Sequence, residues 1–189
     1  MEAIGILESN SIAKGIEAAD AILKAADTSL LFSKPVCPGK YTTLFYGDVA
    51  AVQASLEAGE RVTGEHTVDS VVIPRVHPQV IQAINLSTTP EGVNAVGVME
   101  FYSITAAVYA ADAAVKAADV TLIDVRLGIG IGGKSFAVLT GDVAAVEEAV
   151  KCGMAAGTEI GAQQRSDPEP ARGDLRGTFI MRPEREKTS

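Results

Sequence analysis

One cysteine stands out because its neighbours favour both exposure and ionisation of its thiol. Cys37 lies between Val36 and Pro38, and a proline, which cannot donate to a strand ladder, favours a loop that presents the thiol. Lys34 and Lys40 flank the segment, and nearby positive charge favours the thiolate, the form that binds metals. Cys37 is therefore a candidate metal ligand; the alternative is a loop thiol that binds no metal.

The other reactive residue types offer little chemistry. The chain has two cysteines in all, with no C-x-x-C, and the two histidines, His66 and His77, are too few for a His-rich metal site. We expect His77 to cap a helix or pack at an edge, and Cys152 to pack as a small apolar residue. Since no Ser-His-Asp or Cys-His arrangement is supported, we predict that the protein is not an enzyme.

A glycine-rich run, Gly128–Ser135, formally matches the phosphate-binding pattern GxxxxGK[ST]. That chemistry requires a helix that begins at the lysine, because the amides at its N-terminus hold the phosphate. The residues that follow, SFAVLT, are typical of a strand. The sequence therefore predicts a flexible glycine loop rather than a nucleotide site.

Composition excludes several classes of protein. The 189 residues are 47% hydrophobic with a formal net charge of −8, which argues against intrinsic disorder. The same negative charge argues against nucleic acid and against an anionic membrane surface as partners. No apolar run reaches the length of about 18 residues that a membrane span needs, and the N-terminal segment lacks the basic start of a secretory signal.

An internal duplication is the most informative feature of the chain. Residues 3–27 and 95–119 align with close to half of their positions identical, and GDVAAV occurs at 47–52 and again at 141–146. A polar, turn-rich stretch at 85–94 separates the copies. We predict two tandem domains, residues 1–90 and 91–189.

Each copy has the pattern of one small α+β fold. In the first copy the expected strands are 3–7, 30–36, 41–46 and 67–73. The expected helices are one that Ser11 caps and that runs to 26, one over 49–58 that Gly59 ends, and one over 78–84. In the first helix the apolar stripe is Ile12, Ile16, Ala19, Leu23 and Ala26. The order β-α-β-β-α-β is that of the ferredoxin-like fold. A last apolar piece at 175–181 is expected to be an extra strand.

Several motifs together resemble those of the bacterial microcompartment shell proteins. They are A-x-G-x-x-E, S-I, A-A-D-A-x-x-K-A-A, G-K and G-D-V-A-A-V, which occur in both copies, and V-I-P-R-V-H-P, which occurs in the first. Two unpermuted copies resemble the tandem-domain subclass. The resemblance implies a homotrimer that forms a pseudohexameric tile around a central pore and assembles with other shell proteins. The propanediol-utilisation type, which the chain resembles most, is expected to carry an iron–sulfur cluster on the three-fold axis.

The resemblance also assigns roles to individual residues. The pore-lining positions are Val36, Cys37, Pro38 and Gly39 in copy one and Gly130, Ile131 and Gly132 in copy two. At the shell edge, where tiles meet, it places Lys24, Lys116 and Arg75. The stretch of copy two that would match Arg75 is degenerate around Arg165, so edge contacts there are not expected.

Three-fold symmetry changes the count of thiolates. One Cys37 per chain cannot hold a cluster, but three chains bring three thiolates to one axis, enough for a [4Fe–4S] cluster with one iron left open. A zinc site with three cysteines and a water is the alternative metal centre. We expect one cluster per trimer, which passes electrons through the shell between a redox enzyme of the lumen and a cytosolic carrier, or is itself passed through.

Two other functions stay open at this point. One is a plain metabolite pore in which Cys37 binds no metal. The other is a trimeric ferredoxin-like regulator that binds a small molecule in clefts between subunits, which would not require lysines and an arginine at the rim.

Overall fold

Two four-stranded antiparallel sheets, one in each repeat, organise the chain. The computed structural model describes residues 3–90, 92–163 and 178–181. Their contacts define two units: the first runs to Val76 and includes Gly128–Gly133, and the second begins at His77. The predicted β-α-β-β-α-β order is confirmed in both.

In the first unit the central strand pairs on both sides, which gives the order β2-β3-β1-β4. Its elements are β1 (Ala3–Ser9), α1 (Ile12–Ala25), β2 (Thr28–Val36), β3 (Lys40–Gly47), α2 (Val49–Thr63), a 3-10 turn (Gly64–His66) and β4 (Thr67–Pro74). The strand β1 pairs with β3 from Ala3–Gly47 to Ser9–Tyr41. The two helices pack on the sheet around a core that includes Leu7, Ile22 and Phe45.

The second unit has the equivalent order β6-β7-β5-β8. Its elements are α3 (Pro78–Ile84), β5 (Ala95–Phe101), α4 (Ile104–Ala117), β6 (Val120–Leu127), β7 (Ser135–Gly141), α5 (Val143–Gln163) and β8 (Thr178–Met181). The apolar piece expected as an extra strand is the fourth strand of this sheet, since β8 pairs with β5 as β4 pairs with β1. Arg165 lies outside the described residues.

The face that helix α1 turns to the sheet shares only Ala19 with the predicted stripe. Ser11 caps the helix as expected, its hydroxyl accepting the Lys14 N–H at 3.4 Å. The large stripe residues Ile12, Ile16 and Leu23 are exposed. The buried face consists of small residues and one isoleucine: Gly15, Ala18, Ala19 and Ile22. Small side chains let the helix approach the sheet closely, and the larger ones then remain outside.

The helix α2 continues beyond its predicted end. Gly59 was expected to terminate it, but the helix runs to Thr63, and Gly64, at φ 51°, ends it. Gly59 is buried inside the helix. A Cβ there would lie 2.8 Å from Leu7 and 2.9 Å from Ile22, so only glycine fits without a shift of these side chains. Gly59 therefore allows close packing and does not terminate the helix.

The short helix α3 follows the first repeat in sequence but packs on α4 and β6 of the second. The His77 N–H donates to the Asp112 carboxylate at 2.8 Å. The Gln79 side chain accepts the Leu122 N–H at 2.8 Å and donates to the Val120 carbonyl at 3.4 Å. As predicted, His77 caps the helix, its Nδ1 accepting the Gln79 N–H.

The close approach of α1 can be tested at Gly15. A Cβ there would lie 2.5 Å from the Tyr41 Cβ, which is fixed to the backbone of β3. We expect Gly15→Ala to lower the free energy of unfolding by about 1–3 kcal/mol in urea denaturation, despite the gain in helix propensity of about 1 kcal/mol. In the control Gly92→Ala, where a Cβ meets no atom within 4 Å, stability should be unchanged. Equal stability of the two variants would contradict the packing.

Candidate cysteine site

Cys37 opens the tight turn between the edge strand β2 and its neighbour β3 in the first sheet. The strand β2 ends at Val36, β3 begins at Lys40, and the Gly39 N–H donates to the Val36 carbonyl at 3.0 Å. Gly39 has φ 97°, a conformation that L side chains rarely adopt. The Cys37 thiol is free and half-buried. The turn thus places a sulfur at the end of the sheet, where another molecule can reach it.

The glycine loop of the second repeat lies directly against this turn. The Cys37 N–H donates to the Gly128 carbonyl at 3.1 Å. A Cβ on Gly133 would lie 3.1 Å from the Cys37 carbonyl oxygen and 3.1 Å from Pro38. Positive φ angles occur at Gly128, Gly130, Gly132 and Gly133. The structure therefore brings the two loops predicted to line a pore together, while the pore itself stays a prediction.

The glycine loop does not form a phosphate site. The residues after it form the strand β7 from Ser135, as predicted, and α5 begins only at Val143. Lys134 donates to the Glu100 carboxylate at 2.9 Å, and this hydrogen bond raises the pKa of Lys134. Without a helix N-terminus at the lysine, the amide geometry that phosphate binding needs is missing.

The two lysines beside Cys37 have different partners. Lys34 is exposed, and its ammonium lies 5.6 Å from the centre of the Phe32 ring. Lys40 reaches the buried carboxylate of Glu8 at 3.4 Å. Of the two charges expected to favour the thiolate, one is therefore already paired with a carboxylate.

Cys152 is less buried than expected, and its surroundings disfavour the reactive thiolate form. It is half-buried in α5, with its sulfur 3.4 Å from the Glu148 carboxylate. The hydrogen bond to Glu148 raises the pKa of the Cys152 thiol, which keeps it protonated. The protonated form is a poor metal ligand and a poor nucleophile.

The residues expected at a shell edge are all on the surface. Lys24 and Lys116 each pair with an aspartate one helical turn earlier, Asp20 and Asp112. Arg75 is exposed and has φ 50°, in the turn after β4. Whether these side chains contact other tiles stays a prediction.

Among the residues that the structure describes, no three His, Cys, Asp or Glu side chains come together in an arrangement that could hold a metal ion. None of the described helices is long and apolar enough to cross a membrane.

Comparison with known proteins identifies the class. The model of the BMC domain matches residues 3–76 and again residues 95–166, so the chain is a tandem BMC-domain protein. It is 48% identical to the bacterial microcompartment shell protein PduT of Citrobacter freundii over 149 residues, which cover 79% of this chain and 81% of PduT. The chain therefore belongs to the bacterial microcompartment shell proteins, and its place is in the shell of such a compartment.

Solved structures agree with this assignment. The crystal structure of a microcompartment protein from Desulfitobacterium hafniense superposes with a TM-score of 0.83 at 46% identity, covering 96% of this chain and 94% of that one. The fused, permuted hexameric shell protein MSM0275 superposes with a TM-score of 0.62 at 23% identity, covering 88% of this chain and 84% of that one. The second likeness shows the fold alone.

Sequence reasoning placed Cys37 in a turn but missed what holds it there. The contact with Gly128 and Gly133 joins residues about a hundred positions apart, and no local pattern announces it. The signal that could have suggested it is the density of glycines opposite a Cys-Pro-Gly turn, since glycine permits close backbone approach.

Two glycine variants test this contact. Gly133→Ala and Gly130→Ala both force a side chain into a positive φ, but only the Gly133 variant meets other atoms. We expect Gly133→Ala to lower the free energy of unfolding by about 1 kcal/mol more than Gly130→Ala. Hydrogen exchange of the Cys37 amide, which donates to Gly128, should accelerate in Gly133→Ala only. Equal exchange rates would refute the contact.

Proposed function

We propose that three copies of this chain form one tile of the shell, in which three Cys37 thiolates meet on the three-fold axis and hold one [4Fe–4S] cluster. The observation that supports this most directly is the place of Cys37 in a tight turn at the end of a sheet, where its thiol is free and half-buried. Family membership supports the tile; the cluster rests on the thiol and its surroundings.

The residues around Cys37 suit such a cluster. A Cβ added at Gly39 would meet no atom within 4 Å, so there is open space at the end of the Cys37 turn. Three thiolates are one fewer than the usual four ligands of a [4Fe–4S] cluster, and water, a small thiol or a partner protein would fill the fourth position. The same three sulfurs could hold zinc, which contains no sulfide and is distinguishable on that ground.

The cluster would supply one-electron transfer across the shell. The protein's own residues place the three thiolates at the axis, and its negative charge disfavours added electrons and so favours a low reduction potential. The partners would be a redox enzyme of the lumen and a cytosolic electron carrier. Passage of the intact cluster is the second form of this function, and a metal-free metabolite pore is the outcome if no cluster binds.

An apolar surface on the first unit supports association with a second copy. Four apolar positions are exposed there, while their counterparts in the second unit are buried, partly under α3. The pairs are Ile12 (44%) and Ile104 (3%), Ile16 (55%) and Val108 (0%), Leu23 (43%) and Val115 (9%), and Leu30 (39%) and Leu122 (0%). Since the sequence keeps the face apolar in both repeats, we infer that a second copy covers it.

Such a contact joins unlike surfaces of two copies, and a head-to-tail contact of this kind closes into a ring when the rotation permits. A ring of three brings three Cys37 residues to one axis. At its rim, Lys24, Lys116 and Arg75 would contact other shell proteins. A non-enzymatic role agrees with the shell relatives, and membership of this family leaves the small-molecule regulator without support.

Metal analysis tests the cluster. After anaerobic reconstitution, we expect about four iron and four sulfide per trimer in the wild type and in Cys152→Ser, and neither in Cys37→Ser. The physical reason is that the raised pKa of Cys152 keeps its thiol protonated, whereas Cys37 is the proposed ligand. A colourless wild type would overturn the cluster, and zinc without sulfide would replace it with a mononuclear site.

Light scattering tests the copy-to-copy contact. Ile16→Glu places a charge on the apolar face and should shift the trimer to monomer, because burying an unpaired carboxylate costs several kcal/mol. The control is Val93→Glu, at an equally exposed apolar residue in the stretch between the repeats, and it should remain trimeric. A trimeric Ile16→Glu protein would show that this face is not the contact.

A further inference from the structure

Each repeat has one ion pair that crosses its sheet next to its loop. Lys40 lies 3.4 Å from Glu8, and Lys134 lies 2.9 Å from Glu100. Both lysines directly follow the glycine that ends the loop, and both glutamates lie on the central strand. Among the described ion pairs, the only others common to the repeats run along the helices α1 and α4.

Each ion pair connects two strands of its sheet, β1 with β3 or β5 with β7, one residue beyond the last backbone pairing between them. Pairing of β1 with β3 ends at Ser9–Tyr41, and Lys40 is the next residue towards the Cys37 turn. In the second repeat the pairing ends at Phe101–Ser135, and Lys134 is again the next residue. At the first residue after each loop, the tie to the central strand is therefore made by the lysine side chain.

Electrostatics makes the first pair hard to separate. Glu8 is only 2% exposed, and a buried carboxylate without a counter-charge is strongly unfavourable. The ammonium of Lys40 is therefore held on Glu8, and the end of the turn is held with it.

The second pair holds the other side of the same site. Lys134 follows Gly133, whose missing Cβ leaves room for the Cys37 carbonyl, and the same loop supplies the Gly128 carbonyl to the Cys37 N–H. We propose that Lys40–Glu8 and Lys134–Glu100 are positioning pairs that hold the Cys37 turn and the glycine loop in register. Their purpose rests on the proposed role of Cys37, but their action on the thiol does not require a metal.

The test measures the reactivity of both thiols in the same metal-free, full-length protein. Iodoacetamide is added under reducing conditions, and mass spectrometry of the peptides gives separate alkylation rates for Cys37 and Cys152. In Glu8→Gln we expect the Cys37 rate to rise about fivefold relative to that of Cys152, which corresponds to about 1 kcal/mol. The physical reason is that a loosened turn exposes the thiol to the reagent more often.

Matched variants separate positioning from general stability. Glu100→Gln should raise the Cys37 rate by a smaller factor, through the glycine loop, and it keeps the test open if Glu8→Gln does not fold. Lys40→Arg, which keeps the ion pair, should retain the wild-type rate. Asp20→Asn, which breaks the exposed helix pair with Lys24, should also leave the rate unchanged.

Two results would overturn the proposal. The first is a ratio of Cys37 to Cys152 alkylation rates that stays at the wild-type value in both glutamate variants. The second is an equal rise of the alkylation rates at both cysteines, which would indicate general destabilisation. A wild-type trimer that binds no iron while Glu8→Gln still accelerates Cys37 would refute the proposed cluster and support the positioning pairs. The two proposals therefore fail separately.

Discussion

Both sheets hold their helices at a distance that only glycine permits. A Cβ at Gly15 would overlap Tyr41, and one at Gly59 would press on Leu7 and Ile22. In the second unit, a Cβ at Gly97 would lie 2.7 Å from Val150, and one at Gly153 would lie 2.6 Å from the Met99 sulfur. Because the contact is made through the smallest side chains, the larger apolar residues of α1 are left outside the core.

The same apolar sequence pattern is exposed in one repeat and buried in the other. The stripe of Ile12, Ile16 and Leu23 is exposed in the first unit, whereas the same positions on α4 are buried in the second. The helix α3 belongs in sequence to the first repeat, yet its hydrogen bonds go to α4 and β6. A duplicated chain can thus use one copy of a surface to complete itself and leave the other available for another molecule.

The cysteine site is likewise held with few side-chain contacts. Cys37 is one residue of a turn, and the turn is held by backbone and charge: a carbonyl from Gly128, the space left by Gly133, and the Lys40–Glu8 pair. None of these groups is a metal ligand. The chain contributes one sulfur to this turn and holds the turn by contacts that leave the thiol itself free.

Local pattern is enough to predict the duplication, the order of elements and the place of Cys37 in a turn, because these follow from repeated motifs, periodicity, and proline and glycine in a short connection. The folded chain is needed to show which face of α1 is buried, that Gly59 lies inside a helix, that β8 completes the second sheet, and that the glycine loop lies on Cys37. Periodicity locates an apolar stripe, but the approach distance between helix and sheet decides which stripe is the core. Contacts between distant residues, such as Cys37 and Gly128, depend on where the chain returns, and no local preference encodes that.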